Sequence, residues 1–238
     1  MQVVIQCGGK GTRLRPYTSV LPKPLMPIGA RPVLELLLKS LRRHGLEEVF
    51  ITTGYLGHLI QSFCGDGHQW GMTIHYTTEP EPLGTVGALA LLRDRINDTF
   101  LMLNGDVLTD MDLRKLTACH HGHGGPVTIA TTLRTTRMDY GVIEDTDGRV
   151  TRFLEKPILQ HRVSMGVYCM EPSVMSLVPP GTPFGFDDMV YGMMARQLPV
   201  HTYHHNGLWL DIGRVEDFQK AQDMDWDGEM MPSQAVLT

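Results

Sequence analysis

The residues best suited to chemistry stand near the start, in CGGKGTRLRP (Cys7 to Pro16) and the LPKPLMPI segment that follows. Gly8, Gly9 and Gly11 fall at the end of an apolar run, Val3-Val4-Ile5. Arg13 and Arg15 come next, then Lys23 between two prolines. Glycine lets backbone approach a ligand closely and adopt φ > 0. Bare N–H groups in such a turn can point at phosphate oxygens, and Arg and Lys neutralise what the amides leave over. Apolar strand, glycine turn and fixed positive charge are what a polyphosphate requires. The pattern is not a dinucleotide fingerprint, because G-x-G-x-x from Gly9 demands a small residue where Leu14 stands. Nor is it a Walker A loop, since Lys10 is followed by Gly11 and not by Ser or Thr.

Two carboxylates stand in comparable settings further on. Asp106 closes Asn104-Gly105-Asp106 after the apolar run Thr99 to Leu103. A carboxylate there sits at the carboxyl edge of a sheet, where open α/β sheets bind ligands, and its hard oxygens suit Mg²⁺. An Asn-Gly-Asp turn accounts for the same residues equally well. Asp211, between Leu210 and Ile212 in GLWLDIG, is either inward and functional or outward and solvated. In EPEPLGTVGALALL a proline-held loop leads into a helix opened by Gly84-Thr85, whose N-terminus suits an electronegative ligand edge. An ordinary helix start explains that segment as well. His120, His121 and His123 are read as a solvated loop, for a zinc site needs further ligands.

These residues need a sheet to hold them. Gln2 to Gln6 reads as a short buried strand. Pro32 to His44 reads as a helix, with Leu34, Leu37, Leu38 and Leu41 forming an apolar stripe that Gly45 terminates. Strand Glu48–Thr53, helix Leu56–Cys64 and strand Met72–Thr77 follow. This alternation predicts a parallel or mostly parallel sheet with helices on both faces. Asp112 to His120 reads as a helix. From Pro126 the texture turns to longer strands with a turn at Thr146-Asp147-Gly148, a mixed sheet that supplies one wall of a pocket. Phe186–Arg196 and Asp217–Asp223 read as helices and Val200–His204 as a strand. Residues 1–225 are taken as one domain and 226–238 as a mobile acidic tail. Asp223, Asp225, Asp227 and Gly228 match part of a calcium loop, yet its twelfth position is Gln234 and Pro232 interrupts it, so a calcium site is rejected.

The 238 residues suffice for one large α/β domain. A net charge of −5 argues against a general nucleic-acid binder. Cys7, Cys64, Cys119 and Cys169 form no C-x-x-C pair, which suggests reduced thiols of a cytoplasmic protein. No signal peptide or membrane span is expected. The fifteen methionines are scattered, as for core filling.

Taken in order, GGKGTRLRP, Pro22-Lys23-Pro24, EPLGTVGAL, Asn104-Gly105-Asp106, Tyr140-Gly141, Glu155-Lys156-Pro157, SMGVY and WLDIG make the sequence resemble the sugar-1-phosphate nucleotidyltransferases. In look it is nearest the mannose- and manno-heptose-1-phosphate guanylyltransferases. The resemblance runs from about Met1 to about Asp223. It implies a Rossmann-like, glycosyltransferase-A-type α/β fold. It also implies a reaction of sugar 1-phosphate with nucleoside triphosphate, giving nucleotide-sugar and pyrophosphate. By the resemblance, Gly8, Gly9, Gly11 and Thr12 cradle the triphosphate. Arg13 and Lys23 neutralise the reacting phosphates, and Asp106 and Asp211 hold Mg²⁺. Glu79, Gly84 and Thr85 map onto the nucleobase loop. Lys156 takes the sugar phosphate and Glu155 the sugar hydroxyls, with Gly141 and Gly166 allowing close approach. Ser164 stands where many relatives carry Asn, which alters the expected sugar hydroxyl pattern. The acceptor-only carboxylate of Glu79 suits the donors of guanine, so GTP is favoured. Uridylyl, thymidylyl, adenylyl or cytidylyl transfer to a sugar, amino-sugar or cyclitol phosphate stays open. So does a non-catalytic nucleotide-sugar-binding paralogue, although Arg13, Lys23, Asp106, Lys156 and Asp211 speak against it. No hexapeptide β-helix module, nucleic acid or membrane partner is expected, and a homodimer is left open.

Overall fold

A computed structural model describes residues 1–226. In chain order the elements are β1 (Gln2–Cys7), β2 (Pro27–Ile28), β3 (Arg31–Pro32), α1 (Val33–Arg43), β4 (Glu48–Thr53), α2 (Gly57–Cys64), β5 (Thr73–Thr78), β6 (Phe100–Asn104), β7 (Val107–Thr109), α3 (Leu113–His123), β8 (Val127–Arg137), β9 (Val142–Thr146), β10 (Arg149–Leu154), β11 (Ile158–Met170), α4 (Phe186–Ala195), β12 (Val200–His204), β13 (Trp209–Asp211) and α5 (Val215–Gln222). Seven strands form one sheet in the order β12-β8-β11-β6-β1-β4-β5. Only the pairings of β11 with β6 and with β8 are antiparallel; the other neighbours run parallel. The sheet is thus mixed and mostly parallel.

Side-chain alternation along β1 explains why it lies at the centre. Val3, Ile5 and Cys7 point into a core shared with Leu34, Leu38 and Leu41 of α1 and Ile60 of α2. Val4 points the other way, into a core with Leu89, Leu92, Met189 and Met193. A strand buried on both faces needs a continuous apolar run, and Val3-Val4-Ile5 is one. The four leucines of the α1 stripe are all buried, each contributing about 2 kcal/mol by area. Many of the methionines fill these cores, as expected, among them Met102, Met165, Met170, Met189 and Met193.

Two expectations from the sequence are corrected. No helix opens at Gly84-Thr85. Gly84 holds φ +77° and the next helical turn is a 3-10 segment, Gly87–Leu92. The corner is held from outside the segment, for the N–H groups of Val86 and Gly87 both donate to Phe184 O at 3.1 Å. The histidines of HHGHGG are not loop residues either, for α3 runs through His123 and His120 is buried. The buried ring of His120 bonds Glu171, 51 positions away, which local pattern does not show. Residues 227–238, most of the expected tail, lie outside the described residues. No helix among the described residues is long and apolar enough to cross a membrane.

Candidate active site

The chain leaves β1 for β4 on one side and later returns to β6 on the other. Between β1 and β6 lies the switch point where open α/β sheets form a ligand crevice. Glycine at position 105 lets the two strand ends close up. Its N–H donates to Gln6 O at 2.9 Å, and a Cβ there would meet Cys7 Sγ at 2.5 Å. Above this seam opens a cleft of about 390 Å³. Gly8, Gly9, Gly11, Thr12 and Arg13 form one rim, Glu79, Gly84 and Thr85 another, and Lys23, Asp106 and Gly213 the floor. Residues named from the nucleotide end of the sequence pattern therefore converge on one cavity.

The glycine turn is held from below. Thr18 Oγ1 donates to Gly11 O at 2.8 Å, and Leu14 N–H to the same oxygen at 3.0 Å. Gly11 holds φ +60°, where a side chain is strained. Gly8 needs its lack of a side chain for another reason, since a Cβ there would collide with the Glu79 carboxylate. Glu79 accepts from Gln6 Nε2 at 3.3 Å and from Leu83 N–H at 2.9 Å. Burial raises the pKa of its carboxyl, while these two donors oppose the shift. Gln6 also donates to Gly84 O at 3.1 Å and accepts from Thr52 Oγ1.

At the floor, Lys23 Nζ bonds Asp106 Oδ2 and lies 3.7 Å from Asp211 Oδ1. The two carboxylates come from distant parts of the chain. Asp106 follows β6, and Asp211 ends β13, which pairs antiparallel with β7 so that Asp211 faces Val107. Gly213 N–H donates to Asp211 Oδ1 at 2.9 Å and fixes that oxygen. A side chain at Gly213 would collide with the Lys23 ammonium. Burial lowers the pKa of Lys23, with Asp211 opposing that shift and Arg13 adding to it. Two carboxylates converging on one cationic group form a donor set that fits a hard divalent ion. Among the described residues no cluster of three or more His, Cys, Asp or Glu is placed to hold a metal. Phosphate oxygens and water would therefore complete the shell, as is usual for Mg²⁺.

The residues assigned to the sugar are placed differently. Gly166 abuts the cleft: it holds φ +71°, and a Cβ there would lie 2.5 Å from Asn104 Nδ2. Ser164, two residues earlier on β11, is exposed and donates to Tyr168 Oη at 3.2 Å. Gly141, Glu155 and Lys156 are exposed beside the β9–β10 ribbon and do not line the cleft. Gly141 and Glu155 are neighbours, since a Cβ at Gly141 would come within 3.3 Å of Glu155 Oε2. Lys156 holds φ +43°, a conformation a non-glycine residue seldom adopts. Sequence reasoning missed Gln6 and Asn104 as cleft residues. Asn104 Oδ1 is a buried acceptor without a hydrogen-bond partner, and such an atom in a cleft calls for a donor from a ligand. Both are polar residues that directly follow an apolar run, Val3-Val4-Ile5 for Gln6 and Phe100 to Leu103 for Asn104, a signal available in the sequence.

The nucleotidyl transferase family model matches residues 2–227. A UTP–glucose-1-phosphate uridylyltransferase of Synechocystis sp. is 33% identical over 93% of this chain and 62% of its own length. A mannose-1-phosphate guanyltransferase of Schizosaccharomyces pombe is 31% identical over 92% of this chain and 62% of its own. This chain thus spans less than two thirds of the length of those relatives. The solved structure of HddC from Yersinia pseudotuberculosis, 24% identical, shares the fold with a TM-score of 0.75, covering 93% of this chain and 97% of that one. With the cleft residues all inside the matched range, this chain belongs to the nucleotidyl transferase family.

Proposed function

We propose that the chain transfers a nucleoside monophosphate, GMP in preference, from a nucleoside triphosphate to a sugar 1-phosphate, giving a nucleotide-sugar and pyrophosphate. The observation that carries this reading is the pairing of Asp106 and Asp211 about Lys23, directly below a glycine turn. A sugar phosphate oxygen attacks the α-phosphorus in line, and the bond to the β-phosphate oxygen breaks. Such displacement needs positioning and charge neutralisation more than a protein nucleophile. The backbone of Gly8, Gly9 and Gly11, with Thr12, holds the triphosphate. Arg13 stabilises the departing pyrophosphate, and Lys23 neutralises charge on the α-phosphate. Glu79, Gly84 and Thr85 line the nucleobase side, and the carboxylate oxygens of Glu79 accept from a base. Gly166, Ser164, Glu155, Lys156 and Gly141 serve the sugar 1-phosphate. Asp106 and Asp211 would hold Mg²⁺, which when bound supplies further charge neutralisation at the reacting phosphates.

Guanine is supported by the acceptor character of Glu79 and by the mannose-1-phosphate guanylyltransferases among the relatives, such as the Arabidopsis thaliana protein, 32% identical over 100% of this chain. The Synechocystis relative favours UTP as the second reading. The deciding experiment sets five nucleoside triphosphates against a panel of sugar 1-phosphates and reads pyrophosphate release. GTP with a manno-configured sugar phosphate should give the highest kcat/KM. A UTP optimum would overturn the base assignment, and silence across the panel would overturn catalysis itself.

A further inference from the structure

Asp211 ends a strand of only three residues, so β13 alone cannot hold its carboxylate still. The structure supplies a second hold. The backbone N–H of Asp211 donates to Asp217 Oδ2 at 3.1 Å. Asp217 stands in the first turn of α5 and is 5% exposed. Its two oxygens are gripped by one guanidinium: Arg134 Nη1 donates to Oδ2 at 2.9 Å and Nη2 to Oδ1 at 2.8 Å. That two-pronged geometry fixes orientation as well as distance. Arg134 belongs to β8, in the part of the sheet that pairs with β11. Its guanidinium carbon lies 5.4 Å from the ring centroid of Trp209, which is on β13 two residues before Asp211. The Trp209 indole N–H donates to Met165 O at 2.9 Å, and Met165 precedes the Gly166 that abuts Asn104.

A closed circuit results, running from β8 through α5 and β13 to β11 and back to the end of β6. Its links are a charged pair, a ring contact and hydrogen bonds to backbone, and at its far end the close packing of Gly166 on Asn104. Arg134, Asp217, Trp209 and Met165 do not line the cleft, whereas Lys23 and Asn104 do, so Arg134 and Asp217 meet the site through Asp211, whose Oδ1 lies 3.7 Å from Lys23 Nζ. A buried, paired carboxylate that spends one oxygen on a backbone N–H is an expensive way to stabilise a helix end, since exposed Ser or Asp would cap α5 as well. Groups that fix the direction of a metal-holding carboxylate characteristically sit one contact behind it.

We propose that Arg134 and Asp217 are positioning residues for the reaction, holding Asp211 at the distance from Asp106 that lets the two carboxylates share one cation. This rests on the metal assignment made above for Asp106 and Asp211. The circuit also ties that carboxylate to β11, the strand that carries Ser164 and Gly166.

The test uses Mn²⁺ as the probe, titrated against the full chain without nucleotide, which would itself chelate the ion, and read by the loss of the free-ion electron paramagnetic resonance signal. The variants are Asp217→Asn, Arg134→Lys and Asp211→Asn, with folded fraction followed by near-ultraviolet circular dichroism. Arg134→Lys keeps the charge and loses the two-pronged grip, so it remains informative if Asp217→Asn folds poorly. Arg134→Lys and Asp217→Asn should weaken Mn²⁺ about tenfold. They should also raise the Mg²⁺ concentration for half-maximal turnover by a similar factor, with KM for the sugar phosphate little changed. A purely structural role would lower the folded fraction and leave Mn²⁺ affinity of the folded protein untouched, and that result would overturn the proposal. If Asp211→Asn binds Mn²⁺ as tightly as the unaltered chain, the metal assignment itself falls and this proposal falls with it. Loss of Mn²⁺ in Asp211→Asn alone would keep the metal assignment and reject the positioning pair.

Discussion

Gly84 combines φ +77° with a would-be Cβ only 2.8 Å from the carbonyl oxygen of Phe184. The obstruction is backbone, which cannot swing aside as a side chain can. Gly84→Ala should therefore cost about 1–3 kcal/mol, the usual range for a strained non-glycine backbone. That is a sizeable part of a total stability of roughly 5–15 kcal/mol, and urea unfolding midpoints would measure it. Because Gly84 O accepts from Gln6 at the cleft rim, KM for the triphosphate should rise in the same variant. An unchanged midpoint would mean that the loop relaxes around the methyl group. Asp106→Asn tests the floor of the cleft at the same scale. It keeps shape and loses charge, so turnover should fall by about 10²–10³, as when one preorganised charge partner is removed. Circular dichroism should be unchanged. Near-normal pyrophosphate release would exclude Asp106 from the chemistry.

Helix α3 and the strands around it carry a separate property. His120 Nδ1 contacts Thr128 Oγ1 at 2.7 Å and its Nε2 contacts Glu171 Oε1 at 3.0 Å. Thr99 Oγ1 donates to the same Glu171 oxygen at 2.8 Å. Burial lowers the pKa of His120 from its ordinary 6.5, although Glu171 opposes the shift. His123, stacked on His201 with ring centroids 3.7 Å apart, is lowered as well. A histidine depressed in the folded state binds fewer protons there than in the unfolded chain below pH 6.5. Its contribution to stability is present above that pH and is lost as pH falls through the folded pKa. Unfolding free energy should accordingly decrease between about pH 7.5 and 5.5, and His120→Gln should flatten that slope in urea titrations. An identical slope in the variant would clear His120 of the effect. This element also marks where sequence reading stops. The α1 stripe and the β1 run were legible because their burial follows from spacing within one segment. His120, Asp217 and Arg134 take their meaning from partners more than fifty positions away, and periodicity is blind to those. Gly84-Thr85 misled because glycine before a helical stretch can be a cap or a left-handed corner, and Phe184 decides between them. Gly8, Gly11, Lys23 and Asp106 were picked out by residue type within their own short segments, and the structure brings the four to one cleft.

At the scale of the molecule, the cleft joins the first half of the sheet to the last strand pair, so a ligand that spans it ties both together. Binding only to the folded chain stabilises it by about 2.7 kcal/mol at a hundredfold excess over Kd. For a protein of this size that raises Tm by roughly 5–10 °C. Thermal melts with Mg²⁺ and GTP should show such a shift, and Asp211→Asn should lose most of its Mg²⁺-dependent part. The same geography has a consequence for biosynthesis. β13 is the last strand of the described residues, and it docks on β7, which the ribosome released about a hundred residues earlier at roughly 5–20 residues per second. Until Trp209–Asp211 emerges, a nascent chain carries the glycine turn, Lys23 and Asp106 but only half of the carboxylate pair. The lysine then has one counter-charge instead of two. An unfinished chain is thus unable to assemble the charge site, and the site closes only after the strands that frame it have been made.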